Sequence, residues 1–238
     1  MSPPATLDLG RLRDGLGSTR FADRAWVFPE VDSTIDRVRA LIAEGSEPPL
    51  VVIADAQRKG RGQRGRAWHS PPGLALYVSA LVRPRWEPSR ALALTAVTGL
   101  AAVAALQSFD VDCRLKRPND LLVQGPFGLR KLAGVLVETA IQGDLLRHAV
   151  LSLGLNVSQT EDDFPERIRE HVVSLVGHGV DPPPREDLAV AFLVELDRGL
   201  AELDTADGAE AVLRRHRELS EELPEFRVPD LQLEASET

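Results

Sequence analysis

The chain has 238 residues, with 36 acidic side chains against 28 lysines and arginines and a net charge of −8. That balance argues against non-specific nucleic-acid binding as the main role. The single cysteine, Cys113, excludes an internal disulfide and fits a reducing compartment.

No 18-residue apolar span and no basic-then-apolar leader is read, so a cytoplasmic protein without a membrane segment is expected. Residues 1–24 read as an N-terminal arm, loose or in a short helix. Ala25 to Phe28 is a strand ending at Pro29. Asp32, Ser33 and Thr34 offer N-caps to a helix from Ile35 to Glu44, which Gly45 stops. Leu50 to Ala56 is a buried strand by composition, and Leu74 to Val82 an alternating one. Ser89 to Gln107 is a helix apolar nearly all round. Cys113 to Lys116 and Asp120 to Val123 are short strands split by Pro118, and Cys113 itself reads as a small core residue. Gly125 to Gly128 is a hairpin turn. Lys131 to Ile141 and Leu145 to Val157 pair across Gly143–Asp144. Three helices follow, Asp162 to Leu175, Arg185 to Leu203 and Gly208 to Leu219, with Pro182 to Pro184 as a spacer. Ser220 to Thr238 is a polar tail with room for one or two strands. The pattern predicts an α+β fold: a mostly antiparallel central sheet flanked by helices, in one domain over 25–219. An exposed edge strand among Lys131 to Val157 is a candidate for pairing two copies, so monomer and homodimer both stay open.

The densest chemistry lies in Gln57 to Trp68, QRKGRGQRGRAW. Arg58, Lys59, Arg61, Arg64 and Arg66 alternate there with Gly60, Gly62 and Gly65, and no acidic residue intervenes. Guanidinium forks and main-chain N–H groups on such a loop suit an anion that is captured and enclosed. The loop is not a Walker loop, because no Gly-Lys-Ser/Thr closes it. It is not a dinucleotide fingerprint, because a strand follows. Farther on, RLKRPNDLLV sets Lys116, Asn119 and Asp120 around a proline bend. Lys131 opens an apolar strand as a solvated edge residue would, and Gly134 and Gly154 sit inside strands, where glycine lets another group approach closely.

In order, the ST at Ser33–Thr34, Gln57 with GRGxxGRxW, KxPND, KLAGVLVE and GLN at Gly154 to Asn156 resemble the biotin–protein ligase family over Asp32 to Val157. The resemblance implies a class II synthetase-like catalytic domain, ATP and Mg²⁺, and biotin as substrate. It implies transfer through biotinyl-5′-adenylate to a lysine of a biotin carboxyl carrier domain. Ser33, Thr34, Gln57, Gly60, Arg61, Gly62, Trp68, Lys131, Gly134 and Gly154 would line the biotin side. Arg61, Arg64, Arg66, Trp68, Lys116, Asn119, Asp120 and Asn156 would face ATP, with Asn119 toward the metal. Lys131, Arg61 and Lys116 would be the catalytic cations, Lys131 foremost. A lipoate or octanoate ligase or transferase shares the fold and is the alternative enzyme. A degenerate homologue that binds without efficient catalysis is the non-enzymatic one.

Three positions depart from the family: Ile35 stands for an asparagine, Gln63 for an arginine and Arg117 for a tryptophan. The family's small SH3-like C-terminal domain is expected to be replaced by the short tail 220–238. No DNA-binding domain is expected before the arm.

Overall fold

A computed structural model describes residues 7–84, 86–126, 128–223 and 226–230. The start of the arm, Phe127 of the Gly125–Gly128 turn and much of the polar tail lie outside the described residues.

The arm forms α1 (Leu9–Leu16), capped by the Asp8 side chain on the Gly10 and Arg11 amides. A helix this short is marginal by itself. It is held by Leu12 and Leu16, both fully buried, each contributing about 1.5–3 kcal/mol. Then come β1 (Ala25–Phe28), α2 (Thr34–Ala43), β2 (Leu50–Ala54), β3 (Ala75–Val82) and α3 (Ala91–Gln107). Next are β4 (Arg114–Lys116), β5 (Asp120–Gly125), β6 (Gly128–Gln142) and β7 (Leu145–Asn156). The chain closes with α4 (Glu166–Arg169), α5 (Arg185–Leu203), α6 (Gly208–Leu219) and β8 (Ser220–Glu221).

The eight strands form one sheet in the order β1-β2-β3-β7-β6-β5-β4-β8. β1 runs parallel to β2 and β4 parallel to β8; the other neighbours are antiparallel. This is the predicted α+β architecture. β3 does not alternate as expected, because all eight of its residues are buried. α3, α5 and α6 cover one face of the sheet while α2 covers part of the other.

Two expectations are corrected. Residues 88–107 have a mean hydropathy of 1.6 and are long and apolar enough to cross a membrane. The helix packs under the sheet instead, with Leu94, Val97 and Leu106 in the main core. Residues 162–175 hold only the four-residue α4 between turns, and Val172 bridges Lys131 as an added strand-like contact. The hairpin β6–β7 lies in the middle of the strand order, but β5 pairs with β6 only from Gly128 to Gly134, so residues 136–142 keep one side without a strand neighbour among the described residues.

Candidate active site

One row of directly opposed residues crosses the sheet: Tyr77, Gly154, Gly134, Asp120 and Lys116, from β3, β7, β6, β5 and β4. Directly opposed residues share a face, so two glycines form a flat floor with a carboxylate and a lysine at one end. A second row, Ser79 opposite Ser152 opposite Leu136, runs beside it. Above these rows is a cavity of about 360 Å³.

Its uncharged polar end is built at the start of α2. Ser33 caps the helix, accepting from the Ile35 amide at 3.3 Å. Gln57 Oε1 accepts from the Thr34 amide at 2.9 Å and lies 3.2 Å from its hydroxyl. Ser79 joins Thr34 Oγ1 at 2.7 Å to Ser152 Oγ at 2.8 Å. This buried hydroxyl chain fixes the donors and acceptors of a recess that holds no net charge. Sequence reading missed Ser79 and Ser152; the signal was a serine inside each of two apolar runs, residues 78–82 and 149–155.

The charged end depends on a bulge. In an unbroken strand Lys131 and Gly134, three residues apart, face opposite sides. Between Leu121 and Leu122 the register of β5 on β6 shifts, leaving Leu132 extra. Leu132 therefore turns into the core at 0% exposure, and the Lys131 ammonium comes to within 3.3 Å of the space a Gly134 side chain would fill. Lys131 Nζ lies 2.6 Å from Asp120 Oδ1, and Lys116 Nζ lies 3.7 Å from Oδ2. All three side chains are about one-sixth exposed or less. Lys131 is thus no solvated edge residue; one carboxylate holds two ammonium groups together at the cavity.

Trp68 closes the floor. Its ring lies 5.0 Å from Lys131 Nζ and rests on the two glycines. The Nε1–H is buried over Gly154 with no acceptor among the described residues, an unspent donor. The sequence assigned the space over Gly134 and Gly154 to a ligand; here the indole fills it.

The basic loop is not a free cradle of cations. Arg58 and Lys59 pair with Asp32, Arg61 with Asp36 at 2.6 Å, and Arg66 with Asp230. Arg64, exposed and at φ 60° in a turn over Gln63–Gly65, has no ion-pair partner among the described residues. Gly60 does not line the cavity; its role is local, since a Cβ there would meet Trp68 O at 2.5 Å. Arg61, Gly62, Gln63, Arg64 and Arg66 do line it.

Asn119 donates to Val135 O at 2.9 Å, which leaves its carbonyl oxygen available. Asn156 lines the cavity, but its amide already donates to Val173 O and accepts from Gln159. Of the departures, Ile35 is buried with Val38 and Leu41 and lines the cavity. Arg117 turns away to pair with Glu222 at 3.0 Å. Burial lowers the pKa of His69, whose Nε2 lies 2.7 Å from Asp163 O at the cavity wall. Every residue the resemblance assigned to biotin, ATP or catalysis, Gly60 excepted, lines this one cavity, whereas Arg58 and Lys59 of the basic loop do not.

A nearly uncharged polar recess continuous with paired lysines and a basic loop suits a small organic acid next to a polyanion. Residues 27–156, more than half the chain, match the profile of the Biotin/lipoate A/B protein ligase family. The protein belongs to that family. It is 31% identical over 177 residues to the bifunctional ligase/repressor BirA of Bacillus spizizenii, covering 72% of this chain and 52% of that protein. The biotin–[acetyl-CoA-carboxylase] ligase of Mycobacterium tuberculosis is 32% identical over 230 residues, 92% of this chain and 80% of that one. The biotin protein ligase from Aquifex aeolicus, solved with biotin and ATP, superposes with a TM-score of 0.60 at 30% identity, covering 76% and 71% of the two chains. The chain spans about half the length of the Bacillus relatives it matches.

Proposed function

We propose that this chain is a biotin–protein ligase that joins biotin to ATP as biotinyl-5′-adenylate and passes the acyl group to a lysine of a biotin carboxyl carrier domain. The observation that carries the reading is the single cavity running from the neutral recess of Thr34 and Gln57 to Lys131, Asp120 and Lys116. It is supported by a relative that binds both biotin and ATP and by one named for carboxylase biotinylation.

On this reading Ser33, Thr34 and Gln57 bind the ureido ring, whose carbonyl and N–H groups need fixed uncharged partners. The biotin carboxylate then reaches the lysine end. A carboxylate oxygen forms a bond to the α-phosphorus, the bond to the bridging oxygen breaks, and pyrophosphate leaves. Negative charge accumulates on the phosphoryl oxygens, and Lys131, Lys116 and Arg61 offset it in a site that largely excludes water. Asp120 keeps the two ammonium groups together before the phosphates arrive. In the second step the acceptor amine attacks the acyl carbon and AMP leaves.

Mg²⁺ would neutralise phosphate charge when bound. The residues present fit an ion that arrives on the phosphates. The free oxygen of Asn119 and the Asp120 carboxylate are hard donors, whereas no cage of three His, Cys, Asp or Glu exists among the described residues. This activity belongs in an ATP-rich cytoplasm. Biotin-dependent exchange of labelled pyrophosphate into ATP tests the first step, and exchange that ignores biotin would overturn it.

A further inference from the structure

β8 lies parallel to β4, with Glu221 beside Lys116, and the Arg117 amide donates to Glu221 O at 3.1 Å. The chain is thereby delivered to the cavity mouth, where residues 226–229 line it. Phe226 lies 6.0 Å from Lys116 Nζ. Val228 packs on the small apolar cluster of Phe164, Ile168 and Val172. Asp230 then pairs with Arg66 of the basic loop. One short segment therefore touches the lysine end, an apolar anchor and the loop.

We propose that residues 226–230 are a strap that walls the phosphate side of the cavity, and that Asp230 holds Arg66 until an anionic ligand takes its place. Val228 is the permanent anchor because its seat is apolar and buried. The Arg66–Asp230 pair is the exchangeable one. Both side chains are about half exposed, at 49% and 59%, and exposed pairs are weak and screened by salt. A phosphate offers the same guanidinium a stronger charge-assisted partner. The loop and the strap then close together over the ligand. The identity of that ligand as an adenylate rests on the function proposed above.

Two variants test the strap by separate readouts. Asp230→Asn in the ligand-free full chain speeds amide exchange over residues 61–68 by about two- to fivefold, the scale of one exposed ion pair, and biotin with ATP abolishes the difference. Equal exchange in the variant and the parent chain overturns the latch. Val228→Asp raises release of AMP without acceptor by about fivefold, because water enters a site whose wall has lifted. An unchanged leak overturns the wall. If the parent chain forms no adenylate at all, the functional reading fails and the exchange comparison alone decides the strap.

Discussion

The indole of Trp68 lies so close on Gly154 that a Cβ at that position would stand 2.6 Å from Cε2. Gly134, directly opposite, would place a Cβ 3.2 Å from Cζ3. The paired glycines are thus a seat for the ring that joins the neutral and charged ends of the cavity. Gly154→Ala lifts the indole, because no backbone strain opposes the alanine and the ring is what it meets. Adenylate formation falls about a hundredfold, as for an angstrom-scale misplacement of a reacting group. Thermal midpoint changes little. Pyrophosphate release and a thermal melt on the same preparation check both.

Lys131→Ala removes the ammonium that the bulge at Leu132 aims into the cavity. Pyrophosphate release falls by about 10²- to 10³-fold, the scale for loss of one group that stabilises developing charge. A variant with undiminished release would remove Lys131 from the mechanism.

Acid destabilises the fold in two stages. Burial is the main cause that lowers the pKa values of His69, His148 and His216. The unfolded chain then takes up protons near pH 6.5 that the folded chain refuses. Stability is accordingly complete above about pH 6.5 and lost as pH falls below it. Asp163, lowered by its hydrogen bonds to Thr160, adds a second loss only in the usual carboxylate range. Urea midpoints that decline between pH 7 and 5.5, with a smaller decline in His216→Gln, check the sign. A flat profile would contradict it.

Cys113 is buried, and burial pushes its thiol up to about 12. Thiolate is what reacts, and at pH 8 it is about one part in ten thousand of such a thiol. A chromogenic disulfide reagent leaves the native chain unlabelled and labels one equivalent in urea.

The order of strands and helices was legible because each element carries its own period, cap or stop. Ser33 before α2 and Gly45 after it set that helix to within a residue or two. α5 and α6 fall where their apolar spacing ends. Residues 162–175 misled because Ile168, Val172 and Val173 have helical spacing. They are instead buried by turns that cap the cavity and hydrogen-bond Lys131. The residues lining the cavity were legible as a set, since most fall in the basic loop or in short polar or glycine interruptions of apolar strands. Their mutual arrangement was not. A one-residue bulge decides which way Lys131 points. The partners of Arg61 and Arg66 are 25 residues before and 164 residues after them in the chain. No local pattern marks such pairs.

On the proposed function, the recess of Thr34 and Gln57 and the lysines at Asp120 serve one reaction on biotin. Intact mass of a biotin-carrier domain, incubated with the purified chain, biotin, ATP and Mg²⁺, tests it most directly. One biotinyl group on the acceptor lysine is expected, lost in Lys131→Ala. A carrier that stays unmodified with biotin, or that gains a lipoyl group when lipoate is supplied instead, would contradict it.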